Sequence, residues 1–260
     1  MATTPIYGDD WRLAAIRIGT SNDRPRGLLV GGESVQRVAP LAYYVWCFRD
    51  SHGRVVVVDA GFTGEVAARR GLVQARDIVD ALDEIGINAA SVETVVISHL
   101  HWDHVGGYRA FPAATFVIAR DEWEWTAEAM EMGGRMFDES YDLDTLSEFM
   151  ADGQGRTRLL EAAVTKGSGF DLRVVGGHTP GHIVVDVECD AAKVTLLGDL
   201  AYLYDNLSLD SAPLLCFDRW HTRSLYHKLT LAESILIPGH DPLVLDRLDW
   251  RLGADVAIMR

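Results

Sequence analysis

The sequence predicts a layered fold of the α+β class, and three features of its apolar pattern lead to that prediction. Val55–Val58 is too apolar for a strand with one solvated face, so we expect it to be central and covered on both sides. Residues 74–85 carry apolar side chains at the spacing of a helix face. Four more short apolar runs predict buried strands, and a His or Asp follows each of them closely: Thr94–Ile97, Leu172–Val175, Val194–Leu197 and Ile235–Ile237.

Length, charge and cysteine content narrow the class of protein. At 260 residues, the chain can bury a large core in one or two layered domains. The formal charge of −14 argues against nucleic acid as a partner, because phosphate binding needs a basic surface. Cys47, Cys189 and Cys216 lack CxxC spacing, so we expect buried thiols in a reducing compartment. Met1–Pro5 lacks signal-peptide features and no apolar run approaches the ~18 residues of a membrane span, which predicts a cytoplasmic protein without a membrane partner.

The first part of the chain reads as strands and turns. Residues 11–18 predict a strand, and the turn-prone stretch Gly19–Gly32 predicts a loop that borders the substrate pocket. Ala42–Phe48 and Val55–Val58 predict a hairpin, with His52 solvated in its turn. Asp59 follows the second hairpin strand, and we favour a role in orienting the site over a turn cap.

Helices are predicted at three further places. The helix over residues 74–85 ends at Gly86, and Asp121 is expected to cap a helix that follows the strand Thr115–Ala119. Residues 127–170 carry four methionines and several aromatic side chains, which predicts a helical insertion over the site. Its soft side chains either line a pocket or pack in the core, and both interpretations stay open. A last helix is predicted over Arg219–Glu233.

Ligand-type side chains collect at the ends of the apolar runs. In the extended chain, His99 and His101 point to the same side and can hold one cation, while Asp103 and His104 can serve a second. Because enzyme sites form where several strand ends converge at one edge of a sheet, we expect all these groups to meet. The predicted set contains five imidazoles and two carboxylates: His99, His101, Asp103, His104, His178, Asp199 and His240.

This donor set suffices for two metal ions bridged by one carboxylate. A water held between two such ions has a pKa near ~7 and becomes a nucleophile at neutral pH. Since the set contains no thiolate, zinc is favoured, and manganese, iron and cobalt stay open.

The same residues carry a family resemblance. His99–His104 forms an HxHxDH motif, and it is followed by Gly177–His182 (GHTPGH), Gly198-Asp199 and Pro238–Asp241 (PGHD). In this order the motifs resemble the metallo-β-lactamase superfamily. The resemblance implies an αββα sandwich, with two mixed β-sheets packed together and helices outside, in a single domain of residues 1–260. It also implies that His99, His101 and His178 hold the first metal, Asp103, His104 and His240 hold the second, and Asp199 bridges the two.

Within the superfamily, the chain is most similar to the quorum-quenching N-acyl-homoserine lactonases and their relatives, including 4-pyridoxolactonase. Ser98–Gly107 resembles the lactonase form of the motif, and Tyr202 stands three positions after Asp199, where these enzymes carry a tyrosine that hydrogen-bonds the substrate carbonyl. The resemblance implies that a metal-bridging hydroxide opens a small cyclic ester. Tyr202 would stabilise the oxyanion, and Asp103 would pass a proton to the leaving alkoxide.

Other aromatic and imidazole groups are not assigned to the metals. His182 matches a position that is usually structural in the family, and His221 and His227 are expected to be exposed or capping in their helix. Trp102 either lines the pocket or packs beneath the motif.

Other reactions on the same site stay open. A glyoxalase II-like thioesterase is disfavoured because the chain ends about 20 residues after His240, and a secreted β-lactamase is disfavoured by the missing signal peptide. Hydrolysis of a cyclic amide is harder to separate, and a metal-binding sensor without turnover is a further alternative. Oligomeric state is open, with a homodimer as the common habit of the family.

Overall fold

The computed structural model describes residues 12–73, 75–153, 155–161, 163–190, 192–231, 233–248, 250–251 and 253–259. Trp11 and Gln74, which begin a predicted strand and a predicted helix, lie outside the described residues, as does Met1–Pro5. The strands are β1 Leu13–Pro25, β2 Val38–Arg49, β3 Val55–Val58, β4 Thr94–Val96, β5 Thr115–Ala119, β6 Thr157–Leu160, β7 Val164–Lys166, β8 Phe170–Val174, β9 Ile183–Glu188, β10 Lys193–Leu196, β11 Ile235–Ile237, β12 Trp250–Arg251 and β13 Val256–Met259. The helices are α1 Arg26–Leu29, α2 Gly64–Arg69, α3 Ile78–Asp83, α4 Trp102–Val105, α5 Arg120–Glu131, α6 Leu143–Gly153, α7 Tyr204–Ser208, α8 Arg219–Thr230 and α9 Val244–Arg247.

The described strands form two mixed sheets. The first has the order β12-β13-β1-β2-β3-β4-β5-β6, and the second has the order β11-β10-β9-β8-β7. In the first sheet β3 to β6 run parallel and the remaining pairs are antiparallel. In the second sheet only the pair β10–β11 is parallel. Parallel neighbours place their carboxyl ends at the same edge, which is where the predicted ligands follow.

Three apolar clusters separate the layers. One lies between the first sheet and the helices α2, α3 and α6, and a second lies between the two sheets. The third joins the outer face of the second sheet to α8. Val57 belongs to the first cluster while Val56 and Val58 belong to the second, so β3 is covered on both faces, as its composition predicts. The layers confirm the predicted αββα sandwich.

The hairpin and most strand predictions are confirmed. β2 pairs antiparallel with β3, and His52 is exposed in the turn between them. β5 coincides with the predicted Thr115–Ala119, and α8 covers most of the predicted final helix. The three cysteines, all within the described part of the chain, form no disulfide; Cys47 is buried, whereas Cys189 and Cys216 are only half-buried. Among the described residues, no helix has the length and apolar character needed to cross a membrane.

Three local predictions are wrong. The expected loop Gly19–Gly32 is the second half of β1, which pairs with β2 as far as Pro25, followed by α1. Two register shifts in that pairing accommodate its turn-prone residues. Asp121 does not cap a helix, because α5 already begins at Arg120 and its first residue follows β5 directly. The segment 127–170 is only partly helical, since β6, β7 and the first residue of β8 fall within it.

Candidate metal centre

The predicted ligands meet where strand ends of both sheets face each other. His99 and His101 follow β4 of the first sheet, and Asp103 and His104 lie on the single turn of α4. The other three follow β8, β10 and β11, which all belong to the second sheet. The site therefore lies between two sheet edges, whereas the sequence predicts one edge. All seven side chains are buried and form two groups, His99, His101, His178 and Asp199, and Asp103, His104 and His240.

The first group has the dimensions of a four-coordinate metal site. His99 Nε2 and His178 Nε2 lie 2.9 and 3.1 Å from His101 Nδ1. Asp199 Oδ2 lies 3.5 Å from His178 Nε2 and 3.9 Å from His99 Nε2. In a tetrahedral zinc site with bonds of ~2.0–2.1 Å, the ligand atoms are roughly 3.3 Å apart. These four residues fit such an ion.

Asp199 faces both groups with different oxygens. Its Oδ2 points to the first group, while its Oδ1 lies 2.9 Å from His240 Nε2 and 3.2 Å from His104 Nε2. Asp103 Oδ2 completes the second group, at 3.6 Å from His240 Nε2 and 3.7 Å from His104 Nε2. A carboxylate between two donor groups is the arrangement needed for a bridging ligand.

Outer hydrogen bonds direct the inner nitrogens of the imidazoles toward the centre. His104 Nδ1 donates to Asp59 at 2.8 Å, and His240 Nδ1 donates to the carbonyl of Ala42 at 2.8 Å. The Nε2 lone pairs of both rings therefore face Asp199 Oδ1. Because a nitrogen lone pair and a carboxylate oxygen repel each other at this distance, a proton or a cation is needed between them. This observation supports the fit to metal, and the hydrogen bond between Asp59 and His104 is the contact that the favoured role of Asp59 requires.

Ser98 connects the two groups beneath the rings. Its hydroxyl donates to Asp59 Oδ2 at 2.9 Å, and it is 3.1 Å from His99 Nδ1. Since that hydroxyl proton is used by Asp59, His99 Nδ1 is the donor to Ser98 and His99 Nε2 is left as an acceptor. The backbone N–H of Ser98 also donates to Asp59, at 2.7 Å.

Burial decides the protonation of the first group. It lowers the pKa of His101 to about 3 and also lowers the pKa values of His99 and His178, so these rings are neutral, the form that binds metal. Burial alone would raise the pKa of Asp199, but the charges on His240 and His104 outweigh it and hold that pKa well below its usual value. Burial raises the pKa of Asp103, and the same two histidines offset this only in part.

Glu122 is a buried residue of the site that the sequence analysis misses. Its carboxylate accepts from the N–H of Leu100, at 2.9 Å, and from the N–H of Gly181, at 3.0 Å. Leu100 lies between two candidate ligands and Gly181 follows His178 by three positions, so Glu122 ties two ligand-bearing loops together. A Cβ on Gly181 would lie 2.3 Å from the backbone nitrogen of Glu122, which explains the glycine there.

Two cavities flank His101. The smaller, of about 80 Å³, is lined by residues that include Asp103, Tyr202 and His240. Tyr202 stacks on His240 with ring centroids 5.3 Å apart, and burial beside Asp199 and Asp103 raises its pKa well above the usual value, so the phenol keeps its proton. Trp102 lines this cavity, and its ring also packs on the Phe62 ring, with centroids 5.5 Å apart. Trp102 therefore has both of the roles that the sequence offers as alternatives, in the pocket lining and in the packing.

The larger cavity, of about 210 Å³, is also lined by His101. Met136 and Tyr141 of the segment 127–170 line it, with the Tyr141 ring 4.5 Å from that of His101. Phe149 of the same segment is fully buried in the core. The segment thus serves both of the purposes that the sequence leaves open.

The remaining histidines stand apart from the two groups. His182 is buried, and its Nε2 bonds to the carbonyl of Leu197 at 2.9 Å, which agrees with a structural role. His221 follows the α8 cap, and its Nε2 bonds to the carbonyl of Val175 at 2.8 Å. His227 is exposed on α8, with its Nε2 3.4 Å from Asp210.

Comparison with known proteins agrees with this geometry. A profile of the Metallo-beta-lactamase superfamily matches residues 36–250. The chain belongs to the metallo-beta-lactamase superfamily. Within the superfamily, the N-acyl homoserine lactonase AttM of Rhizobium radiobacter is 27% identical to this chain, over 90% of this chain and 94% of AttM. The N-acyl homoserine lactonase of Bacillus thuringiensis is 24% identical, over 76% of this chain and 81% of its own.

One solved structure shares the fold of this chain. It is an N-acyl homoserine lactone hydrolase with the product N-hexanoyl-L-homoserine bound at the catalytic metal center. Its TM-score is 0.73 at 20% identity, and the match covers 89% of this chain and 94% of that one. At this identity the likeness shows the metallo-beta-lactamase fold that the motifs predict.

Proposed function

We propose that this protein is a metal-dependent hydrolase that opens a small cyclic ester, a lactone. The observation that carries the proposal is the pair of buried donor groups with Asp199 between them, beside a protonated Tyr202. The lactonases that the chain resembles over most of its length point to the same substrate class. We further propose that residues 1–260 act as one domain.

The proposed metal ligands are those of the two groups. His99, His101 and His178 would hold one divalent cation, Asp103, His104 and His240 would hold the other, and Asp199 would contribute to both. The nitrogen and oxygen donors suit zinc. When bound, two such cations polarise a carbonyl and lower the pKa of a coordinated water to near ~7.

Two residues of the chain carry out the proposed proton and charge handling. Tyr202 donates its phenol proton in a hydrogen bond to the substrate carbonyl oxygen as negative charge develops there, which its raised pKa permits. Asp103, which lines the same cavity as Tyr202, takes the proton released by the attacking water and passes it to the ring oxygen as the ester bond breaks. The buried rings of Tyr202 and Trp102 keep bulk water away from that proton.

A substrate panel tests the proposal. Zinc-loaded protein is assayed side by side on a γ-lactone, a γ-lactam, a thioester and a β-lactam, with the hydrolysed product quantified by liquid chromatography. We expect the γ-lactone to give the highest kcat/KM and chelation of the metal to abolish it. Faster cleavage of the thioester or of either lactam would replace the lactone in the proposal, and metal binding without turnover on the whole panel would favour a sensor.

A further inference from the structure

Two guanidinium groups line the smaller cavity beside the second donor group, together with the carboxylates of Asp103, Asp199 and Glu139. Besides Asp103, Tyr202 and His240, it is lined by Arg24 of β1 and Arg70 at the end of α2. The chain as a whole has a formal charge of −14, so two guanidinium groups at one small cavity are not explained by composition.

Only some of the N–H donors of Arg24 have hydrogen-bond acceptors. One of its terminal nitrogens, Nη2, donates to the Tyr43 hydroxyl at 3.4 Å. Its Nε is buried without a hydrogen-bond partner among the described residues. No carboxylate of the described ranges lies within ion-pair distance of it, whereas Arg17, for example, lies 2.6 Å from Asp255. The charges of Asp23 and Asp103 act on Arg24 only from beyond ion-pair distance, and a buried N–H without an acceptor is costly, which points to an acceptor group that arrives with a ligand.

Arg70 lines the same cavity. Its Nη1 donates to the backbone carbonyl of Glu139 at 2.5 Å, and its guanidinium carbon lies 4.8 Å from the centroid of the Trp102 ring. In the described part of the chain, no carboxylate forms an ion pair with it either. A backbone carbonyl and an aromatic face fix the guanidinium in position, while the charge of Asp142 acts on it only from beyond ion-pair distance.

We infer that the substrate carries a carboxylate, which Arg24 and Arg70 bind in this cavity while the lactone carbonyl lies at the donor groups. The inference rests on the proposed function and narrows its substrate class. With a volume of about 80 Å³, the cavity has room for a few water-sized groups, which suits a carboxylate better than a long acyl chain.

Two matched pairs of compounds test the inference. The lactone pair is γ-butyrolactone γ-carboxylate and its carboxamide, which have nearly the same shape but differ in charge. The unreactive pair is tetrahydrofuran carboxylate and its carboxamide, whose binding to zinc-loaded protein is measured by calorimetry. We expect the carboxylate to be favoured roughly ten- to a hundredfold in kcat/KM and in Kd, the size of one charge-assisted hydrogen bond.

Arginine variants decide whether the preference arises at this cavity. Arg24→Gln and Arg70→Gln should each reduce the carboxylate-to-carboxamide ratio about tenfold or more, and Arg24→Lys should restore part of it. Arg158→Gln is the matched control, because Arg158 is exposed on β6 and lines a different cavity that shares no residue with this one.

The two arms separate the two proposals. Equal binding of the unreactive pair, or a ratio that is the same in Arg24→Gln and Arg158→Gln, would overturn the carboxylate site, even if lactones are hydrolysed. A carboxylate bound directly by zinc would give this second result. A binding preference that Arg24→Gln abolishes, without turnover of either lactone, would support the carboxylate site and reject lactone hydrolysis.

Discussion

Replacement of Glu122 by glutamine should loosen the metal centre without touching a ligand. Each oxygen of Glu122 accepts from one backbone N–H, and the side chain is completely buried. The amide keeps one acceptor oxygen and turns an NH₂ group toward the other N–H donor. One charge-assisted bond worth about 1.5–3 kcal/mol is lost and a buried donor is left unsatisfied, so the free energy of unfolding should fall by about 2–4 kcal/mol.

The measurement is urea unfolding of the zinc-loaded protein, combined with zinc competition by a chromophoric chelator. The midpoint should fall by roughly 1 M. Zinc affinity should fall about 10- to 100-fold, because both loops that Glu122 joins bear ligands. Glu124→Gln is the control on the same helix, where loss of the exposed pair with Arg120 should cost less than about 1 kcal/mol. An unchanged midpoint and zinc affinity in Glu122→Gln would refute the reasoning.

Four further substitutions test other parts of the structure. Tyr202→Phe should lower kcat on the lactone about 10- to 100-fold with metal content unchanged, and a parallel loss of metal would contradict a donor role. Asp103→Asn should reduce turnover far more than metal content, measured by atomic absorption; equal losses would make Asp103 only a ligand. Residue 59 has a φ of 66°, which asparagine tolerates as well as aspartate, so Asp59→Asn should keep the backbone but weaken the hydrogen bond to His104. Zinc affinity should then fall about 10- to 100-fold. Unchanged affinity would show that this contact is dispensable. Burial alone would raise the pKa of Asp50, but hydrogen bonds from Arg54 lower it. The carboxylate therefore stabilises the fold above its unfolded pKa of about 3.9, and this stability is lost as the pH falls through the pKa of the folded state. The urea midpoint of Asp50→Asn should not show this loss at low pH, and parallel pH profiles of the two proteins would contradict the prediction.

The candidate ligands could be found from sequence because their signal is local. Each follows a short apolar run, and few structural roles require imidazole and carboxylate together at such positions. All seven chosen side chains come together in the structure. The double coverage of β3 was also readable, since four consecutive valines leave no polar face.

Features that depend on distant partners could not be read in this way. Glu122 looks like any acidic residue in the first turn of a helix, and its importance comes from two N–H groups 22 and 59 positions away. The stretch Gly19–Gly32 has turn-prone composition, yet pairing with β2 keeps its first half extended. The assignment of strand ends to two sheets likewise follows from long-range pairing, which apolar patterns do not encode.

The origin of the ligands in both sheets has a consequence for the life of the protein in a cell. Cations held there would cross-link the two halves of the sandwich, so metal binding would add directly to the stability of the folded chain. Under metal starvation we expect the halves to separate more often and expose the apolar surface between them. Proteolysis would then remove the idle enzyme, so that metal supply would set the amount of protein as well as its activity.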